Sequence, residues 1–381
     1  MKNILFIIPN LATGGTNSSL EALYSSLKDK CEIRVFAMSH HPRNHHYSFD
    51  EVLLPQNRKL SLVFSNYSDQ KGLMKLFALW YKIIRSLYKA LGKDYLRVYG
   101  RKVVEKLEKN NHYDFVVAFQ EGPATVFTSS FSNRNKIAWI HCNYDKYLPK
   151  GQSEEAIYNT YQKVVCVSKY TASVFANRYP ALAERTLAIH NLIDADRVKK
   201  LAEEPIEDKR FIKKETTLLS LGRFSSVKRF REIPAIAAEL KKRSMEFIWY
   251  VLGPGEGTEE AVTFINNVKK HKVDDCVKWL GGKSNPYPYF KASTIYVCVS
   301  ETEACPMVFK EAQVFGLPIV TTDFPSSYEF VKKGGGIITP IERIADAIVA
   351  MVNQIKSGMF YSHVDDTDDQ IVKQLVELFD A

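Results

Sequence analysis

The chain has no continuous apolar run of about 18 residues, so no segment of it reads as a membrane span. It also has no C-x-x-C pair. Its six cysteines, Cys31, Cys142, Cys166, Cys276, Cys298 and Cys305, are scattered, and Cys142, Cys166 and Cys298 fall in apolar, strand-like runs. That pattern argues against a disulfide framework and fits reduced thiols in or near a core. A secretory signal core is missing as well. Met1-Lys2-Asn3 precedes only Ile4-Leu5-Phe6-Ile7-Ile8 before Pro9-Asn10, so the expected location is cytoplasmic. No short repeat or low-complexity tract is present. Neither apolar residues (45%) nor charged residues (25%) are depleted, which excludes a wholly disordered or fibrous chain. Acidic side chains are in deficit, 43 against 52 basic, for a net charge of +9. An excess of this kind permits nucleotide phosphates, an anionic membrane face or nucleic acid as partner and does not choose among them.

What is present is an alternation of strand and helix signals. Ile4 to Ile8 reads as a buried strand, Gly14-Gly15-Thr16 as a turn, Ser18 to Leu27 as a helix and Cys31 to Ala37 as the next strand. That order is a βαβ unit and implies a parallel sheet. Strands follow at Asp114 to Phe119, Lys136 to His141 and Val164 to Val167. The pattern restarts at Thr217 to Leu221, with strands at Phe247 to Leu252, Val277 to Leu280, Thr294 to Val299 and Ile319 to Thr321. At roughly 100–200 residues per domain, 381 residues divide into two. The fold class expected is α/β with two Rossmann-like domains. The first covers 1–200, the second 210–365, and a final helix over 366–381 can cross back to the first. The charged, proline-broken run 202–209 is the expected linker.

One region breaks the alternation. Residues 60–110 read as helix without strands. Between Lys71 and Lys109, eleven Lys or Arg face only Asp94, Glu105 and Glu108, interleaved with Phe77, Trp80, Tyr81, Tyr88, Tyr95 and Tyr99. Two readings stay open for this basic, aromatic insertion: a packed helix pair with solvated lysines, or a pair that also touches membrane lipid or a lipid-linked acceptor.

Three motifs carry chemistry. In Glu303-Ala304-Cys305-Pro306-Met307-Val308-Phe309-Lys310-Glu311, two glutamates are separated by seven residues after a strand ending at Val299. Pro306 suits the first position of a helix, which leaves the Met307 and Val308 amides as unpaired first-turn donors, a natural phosphate site. In Gly222-Arg223-Phe224-Ser225-Ser226-Val227-Lys228, a guanidinium fork and an ammonium follow a strand end, where a parallel sheet receives anions. Gly14-Gly15-Thr16 offers backbone approach at the edge of the first sheet. Asp194-Ala195-Asp196 matches a two-carboxylate metal motif, but its place between the halves favours a structural part. His40, His41, His45 and His46 lack a carboxylate or thiol at ligand spacing and read as a loop.

Taken in order, these motifs resemble the retaining glycosyltransferases of family four, also called group one, which have the GT-B fold. Further matching pieces are Trp139-Ile140-His141, Val167-Ser168, Ile189-His190-Asn191-Leu192-Ile193-Asp194 and Gly316-Leu317-Pro318. The resemblance implies a site. Arg223 and Lys228 would bind the donor diphosphate, and Glu311 the ribose hydroxyls. Glu303 would face the donor sugar, together with Ala304, Cys305, Pro306, Met307 and Val308. His141 would lie near the transferred sugar. Gly14, Gly15 and Thr16 would approach the donor, as would Gly281 and Gly282 beside the base. Three departures stand out: Glu303-Ala304-Cys305 where E-G-F is usual, Pro325-Ser326 where a glycine pair is usual, and Arg229 where a glycine usually follows the lysine.

The expected activity is metal-independent, cofactor-free transfer of a sugar from a nucleotide-diphosphate donor, a UDP-sugar favoured, to an acceptor hydroxyl with retention of configuration. The acceptor expected is a glycan or lipid-linked glycan of polysaccharide biosynthesis. Peripheral association with the inner membrane face goes with the second reading of the insertion. A non-catalytic nucleotide-sugar-binding partner of a membrane glycosyltransferase is the alternative. Nucleic acid is not expected as a partner, because the charge excess is concentrated in one helical insertion and no nucleic-acid motif accompanies it.

Overall fold

The computed structural model describes residues 1–12, 14–39, 47–54, 72–91, 95–331, 334–360 and 367–380. The four histidines at 40–46 and the parts of the insertion at 60–71 and 92–94 lie outside the described residues. Two compact units emerge: Met1–Leu192 with Asp368–Ala381, and Ile193–Thr367. The division falls at 192/193, so the proline-broken run 202–209 belongs to the second unit. It is fastened there: Arg210 donates to the carbonyls of Trp279 and Leu280, and Lys283 pairs with Asp208 at 2.7 Å.

The first unit is built on a parallel sheet of seven described strands: β1 (Lys2–Ile8), β2 (Cys31–Ala37), β3 (Val52–Leu53), β4 (Phe115–Ala118), β5 (Lys136–Ile140), β6 (Lys163–Cys166) and β7 (Thr186–Ala188), in the order β3-β2-β1-β4-β5-β6-β7. Strands covered on both faces can be apolar throughout, and the runs Ile4–Ile8 and Phe115–Ala118 are fully buried. β1 pairs with β2 from Lys2 opposite Cys31 to Ile8 opposite Ala37, and with β4 from Ile4 opposite Phe115. The order reverses between β1 and β4, so the loops after these two strands diverge and leave a crevice at the carboxyl edge. The last helix, Thr367–Asp380, buries Ile371, Leu375 and Phe379 in this unit. The Phe379 ring lies 5.4 Å from Phe115 and 6.1 Å from Phe6, edge-on to both.

The helical insertion contains Leu73–Ala90 and Tyr95–Asn110. Tyr81, Ile84 and Tyr88 of the first helix, and Val103, Val104 and Leu107 of the second, pack on the core around Phe36 and Phe127.

The second unit has six described parallel strands: β8 (Thr217–Leu221), β9 (Ile248–Leu252), β10 (Val277–Gly281), β11 (Ile295–Cys298), β12 (Ile319–Thr322) and β13 (Gly336–Thr339), in the order β10-β9-β8-β11-β12-β13. Here the reversal falls between β8 and β11. The segments after those two strands are the ones that hold Arg223, Lys228 and Glu303. Buried polar groups in the sheet are satisfied: the Trp249 indole donates to Ser220 Oγ at 3.0 Å, and Ser220 donates to the Val297 carbonyl at 2.6 Å. Sheet order and strand direction together give the α/β, two-Rossmann architecture.

Candidate functional site

In the second unit the crevice is tied across its two sides. The Glu301 amide donates to the Val227 carbonyl at 2.7 Å, joining the segments after β8 and β11. Lys228 Nζ reaches Glu303 Oε1 at 2.6 Å, and Ser300 Oγ donates to the same oxygen at 2.7 Å. Burial by itself would lower the Lys228 pKa; the Glu303 carboxylate outweighs it and holds the ammonium above its ordinary value. Lys228 and Glu303 are therefore one charged unit. The backbone of Glu303 is also fixed, because its carbonyl accepts from Ser326 Oγ at 2.6 Å. Ser326 is fully buried and stands where the resemblance expects glycine. Arg223 is exposed and has no hydrogen bond or ion pair among the described residues, so its fork is free for a phosphate.

The helix after β11 runs Met307–Val314, with Pro306 as its N-cap at ψ 97°. Pro306 stands one position before the first helical turn, not within it as expected. Its extended ψ turns the chain from the Ala304-Cys305 loop into the helix. The first-turn amides of Met307 and Val308 have no intrahelical acceptor, as the sequence pattern requires. Glu311 lies on the next turn, half-buried. Burial pushes its carboxyl up to about 7, against the pull of a hydrogen bond from the Tyr287 hydroxyl and of the Lys228 charge. A carboxylate poised near neutrality gains most from new hydrogen-bond donors.

Close backbone packing shapes the neighbouring loops. At Gly253, after β9, a Cβ would sit 1.7 Å from the Gly222 carbonyl oxygen. Gly281 has φ +77°, and Gly282 beside it packs on Pro254. Arg229 follows Lys228 with φ +49°, the left-handed region. That conformation explains why a glycine suits this position, and the arginine holds it at a cost.

The first unit presents its own residues at its own sheet edge. Gly14 is an N-cap, and Gly15 and Thr16 already lie inside the helix Gly15–Leu27, which starts three residues earlier than the sequence pattern suggests. The Asn17 amide explains the early start: it donates to the Asn10 and Ala12 carbonyls at 2.9 and 2.8 Å and closes the loop after β1. A Cβ at Gly14 would meet nothing within 4 Å, so this backbone faces open space. His141 follows β5. Its ring is desolvated, which drops its pKa to about 3, while a bond to the Phe119 carbonyl pulls the other way. Nε2 is shielded and has no hydrogen-bond partner among the described residues. His141 is therefore a neutral imidazole at any working pH.

Several residues here escaped the sequence reading. Glu121, after β4 and so at the reversal point of the first sheet, accepts the His141 amide at 2.8 Å, and burial raises its pKa. Ser300, Tyr287 and Ser326 hold Glu303 and Glu311. No spacing rule marks them; only the Pro325-Ser326 departure drew attention to one. Asp194, first of the two-carboxylate motif, caps the helix Ala195–Leu201 by accepting the Arg197 amide at 2.9 Å.

Comparisons with known proteins agree with this geometry. Residues 202–362 match the family model of the group 1 glycosyl transferases. An uncharacterized glycosyltransferase of Haemophilus influenzae is 23% identical over 302 residues, 76% of this chain and 80% of the relative. The amylovoran biosynthesis glycosyltransferase AmsD of Erwinia amylovora is 24% identical over 148 residues, 39% of this chain and 40% of the relative. Among solved structures, Anabaena HepE in complex with UDP and glucose superposes with a TM-score of 0.69 at 16% identity, covering 100% of this chain and 98% of that one. A TarM variant of S. aureus bound to UDP gives 0.71 at 13% identity, covering both chains fully. Residues 202–362 are thus similar to the group 1 glycosyl transferases, and the chain has the GT-B fold.

Proposed function

We propose that the protein transfers a sugar from a UDP-sugar to an acceptor hydroxyl of a glycan or lipid-linked glycan, with retention of configuration and without a metal. The observation that carries the reading is the Lys228–Glu303 pair at the reversal point of the second sheet, beside a free Arg223 and an open helix terminus. Arg223, Lys228 and the Met307 and Val308 amides hold the diphosphate and take up the charge that develops as it leaves. These cations do the work a divalent ion does elsewhere. Glu303, with Ala304 and Cys305, faces the sugar. Glu311 takes the ribose hydroxyls, and Gly281 and Gly282 admit the base. The resemblance also assigns Gly14, Gly15 and Thr16 to donor binding. The resemblance also assigns His141 to the transferred sugar; held neutral, it would not act there as an acid.

Among the described residues of the second unit, Glu303 is engaged by Lys228 and is not offered as a nucleophile. A front-face displacement, in which the departing phosphate oxygen takes the acceptor proton, needs none. The UDP seen in the HepE and TarM complexes supports the choice of donor, and the name of the Erwinia relative supports a polysaccharide product. The test is a thermal-shift screen of UDP-, GDP- and ADP-sugars. It is followed by transfer in excess EDTA and by NMR of the product's anomeric proton. A UDP-selective shift and a retained anomer in EDTA are expected. Activity that vanishes in EDTA and returns with manganese or magnesium overturns the metal-free mechanism; an inverted anomer overturns retention.

A further inference from the structure

The helix Leu73–Ala90 has a face that the core does not use. Leu73, Leu76, Trp80, Ile83, Leu87 and, just past its end, Leu91 follow one another at steps of three and four residues. They are 72, 66, 63, 50, 59 and 72% exposed. At 100° per residue these positions fall within a sector of about 80°. The inward face is a separate one, formed by Ala78, Tyr81, Ile84 and Tyr88. An uninterrupted apolar stripe on the outside of a helix marks a contact surface and needs an occupant.

Charge selects the occupant. The helix carries four basic side chains, Lys75, Lys82, Arg85 and Lys89, and no acidic one. Its partner Tyr95–Asn110 carries five basic residues against Glu105 and Glu108. Leu79, 41% exposed, widens the apolar sector to about 120°, and Lys75 and Lys82, both exposed, lie about 40° and 60° beyond it on the polar side of the helix. A second copy of this chain would bring like charge against like. An anionic lipid surface meets both features, with the stripe in the acyl boundary and the lysines at the headgroups. Among the described residues no helix is long and apolar enough to cross a membrane, so this helix lies in the surface.

We infer that the helix Leu73–Ala90 is an insertion face for an anionic bilayer, with Trp80 in the interfacial layer. The inference rests on the reading of a membrane-borne acceptor, and its test needs no transfer reaction. Of the four tryptophans, Trp139 and Trp249 are buried and Trp279 is half-buried, so Trp80 alone reports on contact with lipid.

Flotation of the full chain with vesicles of phosphatidylglycerol and phosphatidylcholine should recover at least tenfold more protein than vesicles of phosphatidylcholine alone. Lipids brominated on the acyl chain should quench part of the emission, and Trp80→Phe should remove that quenching. The exposed pair Leu76→Glu with Ile83→Glu should cut partitioning at least tenfold while leaving the unfolding midpoint unchanged. Equal recovery with both lipids, unquenched emission, or undiminished binding by the double variant overturns the inference. So does a dimer in sedimentation that the two glutamates dissociate, since the stripe then belongs to a second copy. UDP binding, measured on the same protein, stands or falls separately and reports on the nucleotide-sugar reading.

Discussion

Glu311→Gln separates a ribose-binding carboxylate from a merely buried one. Burial has raised the group from 4.5 to about 7. At about 1.4 kcal/mol per unit, burial makes the charged form roughly 3 kcal/mol harder to reach than in water. Ribose hydroxyls donating to the carboxylate would return about 1.5–3 kcal/mol for each charge-assisted bond. Glutamine keeps the shape and one acceptor but loses the charge. The expected loss is ten- to a hundredfold in UDP affinity at pH 8.5, where Glu311 is ionised. The sign of the pH dependence follows. Binding favours the ionised form, so wild-type affinity falls as pH drops below about 7, where the carboxyl must give up its proton on binding. Glutamine has no such proton. The ratio of wild-type to variant affinity should therefore shrink by up to about tenfold between pH 8.5 and 6. Taking the ratio cancels the titration of the nucleotide's own phosphate. Calorimetry at the two pH values measures it. A cycle with 2′,3′-dideoxy-UDP completes the test: the wild type should lose affinity for the dideoxy ligand and the variant little more. A ratio that does not move with pH, together with equal dideoxy losses in both proteins, refutes ribose binding by Glu311.

Three further outcomes follow. Lys228→Met leaves Glu303 held by Ser300 alone; for side chains 23 and 15% exposed the expected cost is about 2 kcal/mol, and adding Glu303→Gln should cost less than the sum, as read by urea unfolding. Arg229→Gly relieves a left-handed residue and should raise stability by about 0.5–1 kcal/mol; a fall of that size would show that the Glu301 contact at 3.8 Å outweighs the strain. Phe379→Ala removes a fully buried ring from between Phe6 and Phe115 and should cost about 3–5 kcal/mol in the unfolding midpoint, whereas an unchanged midpoint would mean the last helix is not part of the first unit's core.

The sequence by itself determined the parallel α/β character of both units. Buried parallel strands must be apolar on both faces, and runs such as Ile4–Ile8 and Phe247–Leu252 have no other use in a chain of this composition. It also singled out Arg223, Lys228, Glu303 and Glu311 as polar residues at strand ends and a helix start. It missed the short edge strands β3, β7 and β13, because two to four half-buried residues leave no periodic signal. The helix start at Gly15 was hidden too, since it depends on the Asn17 amide bonding to carbonyls five and seven residues back. Only the tertiary structure decided that Lys228 and Glu303, 75 positions apart, form one ion pair, because sheet order sets the strands that carry them side by side. Burial, also a tertiary property, is what lifts Glu311 toward neutrality and keeps His141 uncharged: desolvation depends on what surrounds a group, and a spacing pattern does not record it. The outer stripe of Leu73–Ala90 is the clearest case. The sequence left open whether this insertion only packs or also touches lipid, and the fold decided which apolar face went inward and which stayed exposed.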